Sequence, residues 1–142
     1  MSTEQNKAAE RFVLDEMNKG NLAVIDEIFA PEYVYHMAGL PPQGRNAFKE
    51  FMKMLYTAIP DLHMDVEDMI AEGDKVVTRW TTSGTHKGEF MGIPATGKRF
   101  EFAGVLIARF MDGKEVEAFE VADRLTMLQQ LGVAPPMGQP GT

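Results

Sequence analysis

The pattern of hydrophobic and polar positions in the last third of the chain changes period at Asp123. Asp112 and Gly113 predict a hairpin turn, because glycine accepts a positive φ without steric cost. The next positions alternate as in a strand, with two sets of side chains on opposite faces. One set is Val116, Ala118, Glu120 and Ala122, and the other is Glu117, Phe119, Val121 and Asp123. Leucines then recur at helical spacing up to Gly132, so we expect Asp123 where a strand meets a helix.

The N-terminal half has the period of helices. Residues 3–19 predict an amphipathic helix with an apolar face, formed by Ala9, Phe12, Val13 and Met17. Gly20 favours its end, and Asn21 favours the start of a second helix over residues 22–29, before Pro31. A short strand is expected at residues 33–36. A third helix is predicted over residues 45–58, with a buried stripe of Phe48, Phe51, Met52 and Leu55.

From residue 62 onward the pattern is that of strands. Residues 62–70 alternate, with one face formed by Leu62, Met64, Val66, Asp68 and Ile70. Residues 76–86 are rich in β-branched side chains, and the apolar run at 100–110 predicts a strand buried on both faces. Three helices followed by a mostly antiparallel sheet define an α+β domain. Curvature of the sheet at Gly84 and Gly104 would leave one cavity beneath the helices.

Composition and charge indicate the number of domains, the kinds of partner and the location of the protein. The 142 residues are 44% hydrophobic, which fits a single domain over residues 1–142 with a mobile tail at about 133–142. A net charge of −7 without a basic run argues against nucleic acid as a partner. No apolar run has the length of a membrane span. The lack of cysteine suits a reducing, cytoplasmic location.

Three stretches of the sequence carry a family resemblance. They are FAPEY at residues 29–33, GTHKGEFMGIPATGK at residues 84–98, and the segment from Asp112 through Asp123 to the QLG at residues 130–132. Together they resemble the SnoaL-like polyketide cyclases, relatives of nuclear transport factor 2, ketosteroid isomerase and limonene epoxide hydrolase. The resemblance implies a cone-like α+β barrel. In it, three N-terminal helices pack on a strongly curved, mostly antiparallel sheet that encloses one apolar pocket.

The resemblance also implies an activity. Characterised cyclases of this branch close a polyketide ring by intramolecular aldol condensation, without a metal or organic cofactor. We therefore expect a lyase or isomerase that removes a proton next to a carbonyl of a hydrophobic small molecule. A homodimer is expected too, since such barrels usually pair through the open face of the sheet. One feature departs from the family: the strand at residues 100–110 lacks the acid/base histidine that these cyclases often carry there.

Asp123 is the predicted catalytic base. It matches the position of the family's general base, and a carboxyl that shares a strand face with Phe119 would be desolvated, which raises its pKa toward that of a useful base. The alternative is a helix N-cap, because Asp123 directly precedes the last helix and aspartate is a favoured cap. A cap would lower the pKa of the carboxyl instead.

His86 and His36 are the predicted proton donors, because each follows strand residues and histidine titrates near neutral pH. The alternative for His86 is an anchor of the glycine-rich loop, and for His36 a place on the pocket rim. Arg79 is expected to bind an enolate or carboxylate and to pair with Asp123 or Glu117, or else to form a surface salt bridge.

The remaining candidates for substrate binding are aromatic. Tyr33, Tyr35 and Tyr56 could donate a phenol hydrogen bond to a substrate oxygen, or lie half-buried in the core with the hydroxyl at the surface. Phe119 and Trp80 are expected in the pocket wall, although the pattern leaves open which sheet face Trp80 and Arg79 occupy. The three histidines lack the spacing of metal ligands, so no metal site is predicted.

Two other functions remain open. Water addition to an epoxide would need two acids flanking an arginine, for which Asp123, Arg79 and either Glu101 or Glu117 are candidates. A non-catalytic module that binds a hydrophobic ligand, or only mediates dimerisation, would need none of these groups.

Overall fold

The computed structural model describes residues 2–134, which form four helices and six strands. In chain order these are α1 (Thr3–Asn18), α2 (Ala23–Ile28), β1 (Phe29–Met37), β2 (Gln43–Gly44), α3 (Arg45–Ala58), β3 (His63–Glu72), β4 (Lys75–Thr85), β5 (Arg99–Met111), β6 (Lys114–Ala122) and α4 (Arg124–Gln130). The α+β class and the three N-terminal helices are confirmed, with α4 as a fourth, C-terminal helix. Most of the predicted tail, residues 135–142, lies outside the described residues.

The six strands form one curved sheet with the order β2-β1-β6-β5-β4-β3. All neighbours are antiparallel except β1 and β6, which run parallel. The parallel pair closes the fold, because it joins the strand after α2 to the last strand of the chain. Strand β6 therefore lies between β1, from the N-terminal half of the chain, and β5, from the C-terminal half.

The inner face of the sheet packs against α1, α2 and α3 to form the main core. Val76, Thr78, Trp80 and Thr82 of β4 are all buried there, while Arg79 between them is exposed. Within the described residues, no helix is long and apolar enough to cross a membrane.

A β-bulge in β3 corrects the predicted alternation of that strand. The register with β4 shifts between Val66 and Asp68, so one extra residue is inserted there. Beyond the bulge the two faces exchange. Ile70, predicted to share a face with Val66, is 66% exposed, and Met69 packs on the core instead.

The prediction that β5 is buried on both faces is wrong. Leu106, Ala108 and Phe110 are buried on the inner face, but Val105 and Ile107 between them are 39% and 36% exposed. The strand is apolar on both sides, yet within residues 2–134 nothing covers its outer side.

The first two helices differ from the prediction in their details. The predicted start of α1 at Thr3 is confirmed, and Ser2 is its N-cap, with a capping box to Gln5. Phe12, predicted on the buried face, is 42% exposed, whereas Glu10 is 1% exposed and faces inward. Leu22, not Asn21, occupies the N-cap of α2, and Pro31 lies inside β1 rather than at a helix end.

We predict that Gly104→Ala destabilises the fold and displaces Trp80. A Cβ at Gly104 would lie 2.2 Å from Cζ2 of Trp80 and 2.6 Å from the Val121 carbonyl oxygen, so the indole must move. We expect a loss of roughly 1–3 kcal/mol in unfolding free energy and altered fluorescence of this single tryptophan.

The matched control is Gly44→Ser, since a Cβ at Gly44 meets no atom within 4 Å and serine is a good residue at this N-cap. Urea unfolding and fluorescence spectra measure both variants. Wild-type stability and fluorescence in Gly104→Ala would contradict the packing described here.

Candidate active site

A cavity of about 150 Å³ lies between the helices and the inner face of the sheet. Its wall is mostly aromatic and aliphatic, and α3 contributes the predicted stripe of Phe48, Phe51, Met52 and Leu55. The polar side chains in the wall are few, namely Glu10, Tyr33, Tyr35, Trp80, Thr82, Glu115, Glu120 and Arg124. An apolar hollow with a few converging polar groups is the usual form of a small-molecule site.

Strand β6 brings Glu120 into this wall. Glu120 lies on the inner face between Ala118 and Ala122, and its cross-strand partner on β5 is the buried Leu106. Because alanine side chains are short, they leave space beside the carboxyl. Although Glu120 faces inward, it is only half-buried, because part of its surface borders the cavity.

Tyr35 holds the Glu120 carboxyl through a direct hydrogen bond from its hydroxyl to Oε1. Burial raises the pKa of Glu120 to about 7, against smaller opposing effects of Tyr35 and of the nearby Trp80 indole N–H. Burial and the negative charge of Glu120 raise the pKa of Tyr35 well above its usual value, so its hydroxyl remains a donor at neutral pH. Tyr35 in turn packs on Phe48, with ring centroids 4.6 Å apart.

The indole Nε1 of Trp80 is an available donor in the same wall. It lies close enough to lower the pKa of Glu120, but among the described residues no acceptor completes a hydrogen bond of ordinary geometry with it. The Trp80 side chain is 3% exposed. A buried N–H that lacks a partner of ordinary geometry costs free energy.

A second pair of carboxyls, Glu10 and Glu115, lies in the most buried part of the wall. Glu10 comes from α1 and Glu115 from the start of β6, and their exposed fractions are 1% and 2%. Burial raises the pKa of Glu10 to about 7 and that of Glu115 well above its usual value. The neighbouring Tyr33 hydroxyl opposes the rise at Glu115 by hydrogen bonding to it.

The mouth of the cavity lies under the loop at residues 86–98. Phe90 and Ile93 close a tight turn with two backbone hydrogen bonds of 3.0 and 2.9 Å, and Met91 and Gly92 at its tip have φ values of 50° and 79°. Phe90 is buried in the wall, while Met91 is 48% exposed and borders the cavity. The turn thus covers one side of the opening.

The structure contradicts the expected position of Asp123 on the pocket wall. Asp123 is exposed and caps α4, where its Oδ1 accepts a hydrogen bond from the Thr126 N–H at 3.1 Å and its Oδ2 one from the Thr126 hydroxyl at 2.6 Å. These bonds lower the pKa of its carboxyl. The predicted alternation in β6 is correct, but the pocket lies on the face of Ala118 and Glu120. The role of Asp123 as a base stays a prediction.

Three other predicted residues lie on the outer face of the sheet, away from the cavity. Phe119 is 49% exposed and stacks on the His36 ring, with centroids 4.4 Å apart. His36 Nε2 lies 3.0 Å from Oε2 of Glu117, which also contacts Arg109. Arg79 forms a surface salt bridge of 2.8 Å with Asp68 rather than the expected pair with Asp123 or Glu117.

His86 and Tyr56 are likewise absent from the cavity wall. His86 is 1% exposed and anchors the 86–98 loop, because its Nδ1 lies 3.0 Å from the Thr96 hydroxyl and its backbone bonds to Lys98 and Gly97. The Tyr56 hydroxyl donates to the Met17 carbonyl at 2.6 Å, which ties α3 to α1. The catalytic and binding roles assigned to both residues stay predictions. Tyr33 and Trp80 do lie in the wall, as expected.

Glu10, Glu115 and Glu120 are the carboxyl residues of the cavity wall, and none of them was predicted from the sequence. A signal existed for Glu120, which stands between two alanines on the face opposite Phe119 and Val121. Glu10 also shares the helical face of Val13 and Met17. Among residues 2–134 there is no group of three or more His, Asp or Glu side chains arranged as metal ligands.

The fold and the site define a class of protein, an α+β barrel whose apolar cavity has a few carboxyls in its wall. Residues 7–131 match the family model described as SnoaL-like polyketide cyclase. The chain belongs to this family.

Two curated relatives are aklanonic acid methyl ester cyclases. DnrD of Streptomyces peucetius is 30% identical over 91 residues, which cover 63% of this chain and 63% of that protein. DauD of Streptomyces sp. (strain C5) is 28% identical over 110 residues, covering 77% of this chain and 67% of that protein.

Solved structures give the same fold. IdmH of Streptomyces antibioticus, a suggested polyketide cyclase, is 34% identical with a TM-score of 0.80 and covers 91% of this chain and 99% of its own. AclR of Streptomyces galilaeus, a suggested hydroxylase, is 32% identical with a TM-score of 0.86 and covers 94% and 100%. Because these structures share one fold but are named for different activities, the fold alone does not identify the reaction.

The buried carboxyls predict that stability falls as the pH rises. Glu10, Glu115 and Glu120 have folded-state pKa values above the ordinary 4.5, so the folded state binds more protons. The stabilisation that these protonated carboxyls contribute is fully present below about pH 4.5 and is lost as the pH rises through about 7. One pKa unit corresponds to about 1.4 kcal/mol, so we expect a decrease on the order of 3 kcal/mol between pH 5 and pH 8.

Urea unfolding at constant ionic strength measures this decrease. The window lies above the range in which carboxyls with lowered pKa values, such as Asp61 and Glu117, titrate. In Glu120→Gln the decrease should be smaller. A stability that is constant or rises from pH 5 to pH 8 would show that these carboxyls are ionised at no cost.

Proposed function

We propose that this protein is a cofactor-independent acid/base enzyme that removes a proton next to a carbonyl of a hydrophobic small molecule. The observation that carries the proposal is the Glu120 carboxyl, which faces an apolar cavity, has a pKa of about 7 and is held by Tyr35. A base with a pKa near the working pH combines a large ionised fraction with useful proton affinity. An exposed glutamate would be a much weaker base.

The neighbours of Glu120 supply the other parts that enolate chemistry needs. The Trp80 N–H, which has no hydrogen-bond partner of ordinary geometry, is the donor for the oxygen on which negative charge develops. Tyr35 keeps its proton and fixes the direction of the carboxyl. The apolar wall excludes water, which strengthens both interactions.

In an aldol cyclisation the atoms balance with these groups alone. The Glu120 carboxylate takes the proton from the carbon next to one carbonyl, and the resulting enolate carbon forms a bond to a second carbonyl carbon of the same molecule. The new alkoxide then takes the proton back from Glu120. In an isomerisation the proton returns to a different carbon instead. The names of the curated relatives DnrD and DauD support the cyclisation.

The size of the cavity limits the ligand in this conformation to about one or two rings, because a dry cavity of about 150 Å³ is known to hold benzene. A larger polyketide would need the turn at Phe90 and Met91 to move outward. Phe90 of this turn packs in a core cluster with Phe100 and Met127, and the turn lies outside the six strands, so its displacement would open the mouth without breaking the sheet.

We predict that Glu120→Gln abolishes enzyme-dependent proton exchange. With a hydrophobic β-ketoester in D₂O, NMR follows the loss of the proton on the carbon between the two carbonyls. Replacing the base should slow the enzyme-dependent exchange by roughly 100-fold or more. The test uses exchange rather than product formation because the first step is shared by cyclisation and isomerisation.

Asp123→Asn is the matched comparison, since it also removes one carboxylate but at an exposed cap. We expect its exchange rate to stay within about threefold of wild type. Loss of exchange in Asp123→Asn with retention in Glu120→Gln would return the role of base to Asp123. Ligand binding without exchange above the buffer rate in the wild-type protein would favour a non-catalytic binding module.

We also propose that the protein forms a homodimer through the outer face of the sheet. An apolar row crosses four strands there in register: Ile70 pairs with Val77, Val77 with Ile107, and Ile107 with Phe119. Three of these four side chains are between 36% and 66% exposed. A second copy is the occupant that the family resemblance implies, and a twofold axis would place each row against its equivalent.

Ile107→Glu should therefore convert a dimer into a monomer. A charge in the centre of the row would be buried without a partner in the dimer, which weakens association strongly. Light scattering after size-exclusion chromatography measures the mass. Met54→Glu on α3, at a residue 49% exposed on another surface, is the control and should keep the wild-type mass. A monomeric wild-type protein would contradict the proposal.

A further inference from the structure

The carboxyl pair of Glu10 and Glu115 has hydrogen-bonding capacity that the protein itself does not use. Among the described residues, no donor group of the protein reaches Oε2 of Glu10 or Oε1 of Glu115, which are both buried, apart from the proton that the two carboxyls share. Both side chains border the cavity. Buried polar atoms in folded proteins are nearly always paired, and each unpaired one costs about 1–3 kcal/mol. Two buried carboxyls that share one proton on one stretch of cavity wall keep acceptor capacity that no other donor of the described residues uses, and this requires an explanation.

The two carboxyls lie against each other and share hydrogen bonding, so at neutral pH they hold at least one proton between them. The ionisable groups that act on the pair are Glu120 on β6 and, at Glu115, Tyr33 on β1. No basic side chain acts on Glu10. Among residues 2–134, no basic side chain is thus among the groups that act on this pair of acceptors.

The pair is separate from the Tyr35–Glu120 site. Tyr35 bonds to Glu120, whereas Tyr33 lies beside Glu115. Glu120 faces the cavity with intermediate exposure, whereas Glu10 and Glu115 are almost fully buried, so they mark its deep end. Met91, which is 48% exposed, borders the cavity where it is open to solvent.

We propose that Glu10 and Glu115 form a second polar subsite, which binds a phenolic or enolic hydroxyl of an otherwise apolar ring ligand. The inference rests on the proposed function only in taking the ligand of the catalytic cavity as its occupant. It adds the chemical feature by which the deep end of the cavity selects and orients that ligand, with its hydroxyl inward and its reacting carbonyl toward Glu120.

The number of free acceptors favours a hydroxyl over an ammonium group. A hydroxyl needs one acceptor for its hydrogen, and the carboxyl pair keeps such an acceptor after its own shared proton is counted. An ammonium group carries three hydrogens, so two acceptors would leave one buried without a partner. Its desolvation also costs far more than that of a neutral hydroxyl.

Binding of three naphthalene probes tests the subsite without any turnover. The probes are 2-naphthol, 2-methoxynaphthalene and 2-(aminomethyl)naphthalene, which differ in the group that the subsite would receive. Their own fluorescence reports binding to the full chain. We expect wild type to bind 2-naphthol about 10-fold or more tightly than the methyl ether, as for a hydrogen bond to a charged acceptor.

The double variant Glu10→Met/Glu115→Met removes both acceptors with little change in side-chain volume, and such replacements of buried polar pairs are often neutral or stabilising. It should bind 2-naphthol and the methyl ether equally. Glu10→Gln/Glu115→Gln serves the same purpose if the methionine variant does not fold, and should reduce the preference. A double variant that keeps the full preference overturns the proposal, as does a wild-type protein with no preference.

Two further arms separate the alternatives. Glu120→Gln should keep the hydroxyl preference, because it leaves the deep pair intact. If Glu120→Gln loses the preference while the double variant keeps it, the hydroxyl binds at Glu120 and the proposal is wrong. Tightest binding of the amine, lost in the double variant, would replace the hydroxyl subsite by a cation site. If proton exchange survives in Glu120→Gln, Glu120 is not the base of the proposed function, while these binding results still decide on the subsite.

Discussion

The hydrogen bond between Tyr35 and Glu120 joins two neighbouring strands, β1 and β6, that come from opposite ends of the chain, and it sets the chemistry of the cavity. The parallel pairing of β1 with β6 places the two side chains next to each other, although they are 85 residues apart in the chain. Burial keeps the Glu120 carboxyl from becoming a weak base, and the tyrosine keeps it oriented. Phe48 of α3 packs against the Tyr35 ring, so the position of α3 affects the direction of this hydrogen bond.

The two faces of the sheet divide the functions of the protein. On the inner face, short side chains such as Ala118 and Gly104 leave room for a cavity and for the Trp80 indole. On the outer face, larger apolar side chains such as Phe119 and Ile107 remain exposed. Because side chains alternate along each strand, one sequence encodes both an internal site and an apolar external surface. The buried carboxyls oppose stability at neutral pH, a common cost of a functional site.

Much of the fold could be predicted from the sequence, because helix period, strand alternation and turn residues are local signals. The bounds of α3 and the alternation of β6 are confirmed. The choice between the faces of β6 could not be predicted, since Glu120 and Asp123 each lie on a face with apolar neighbours, and which face is covered depends on contacts distant in sequence. The bulge after Val66 likewise has no local signal as clear as a glycine or proline. Glu10 was missed because a charged residue on a helix is usually exposed.

The most direct test of this account is the pKa of the Glu120 carboxyl in the folded protein. Carbon-13 NMR of protein labelled at the glutamate side-chain carboxyls, titrated from pH 4 to pH 9, resolves it, and the resonance missing from Glu120→Gln assigns it. The account predicts a midpoint of about 7, because the carboxyl faces an apolar cavity. A midpoint near the ordinary glutamate value of 4.5 would show that water reaches the carboxyl freely, and would contradict the proposed base.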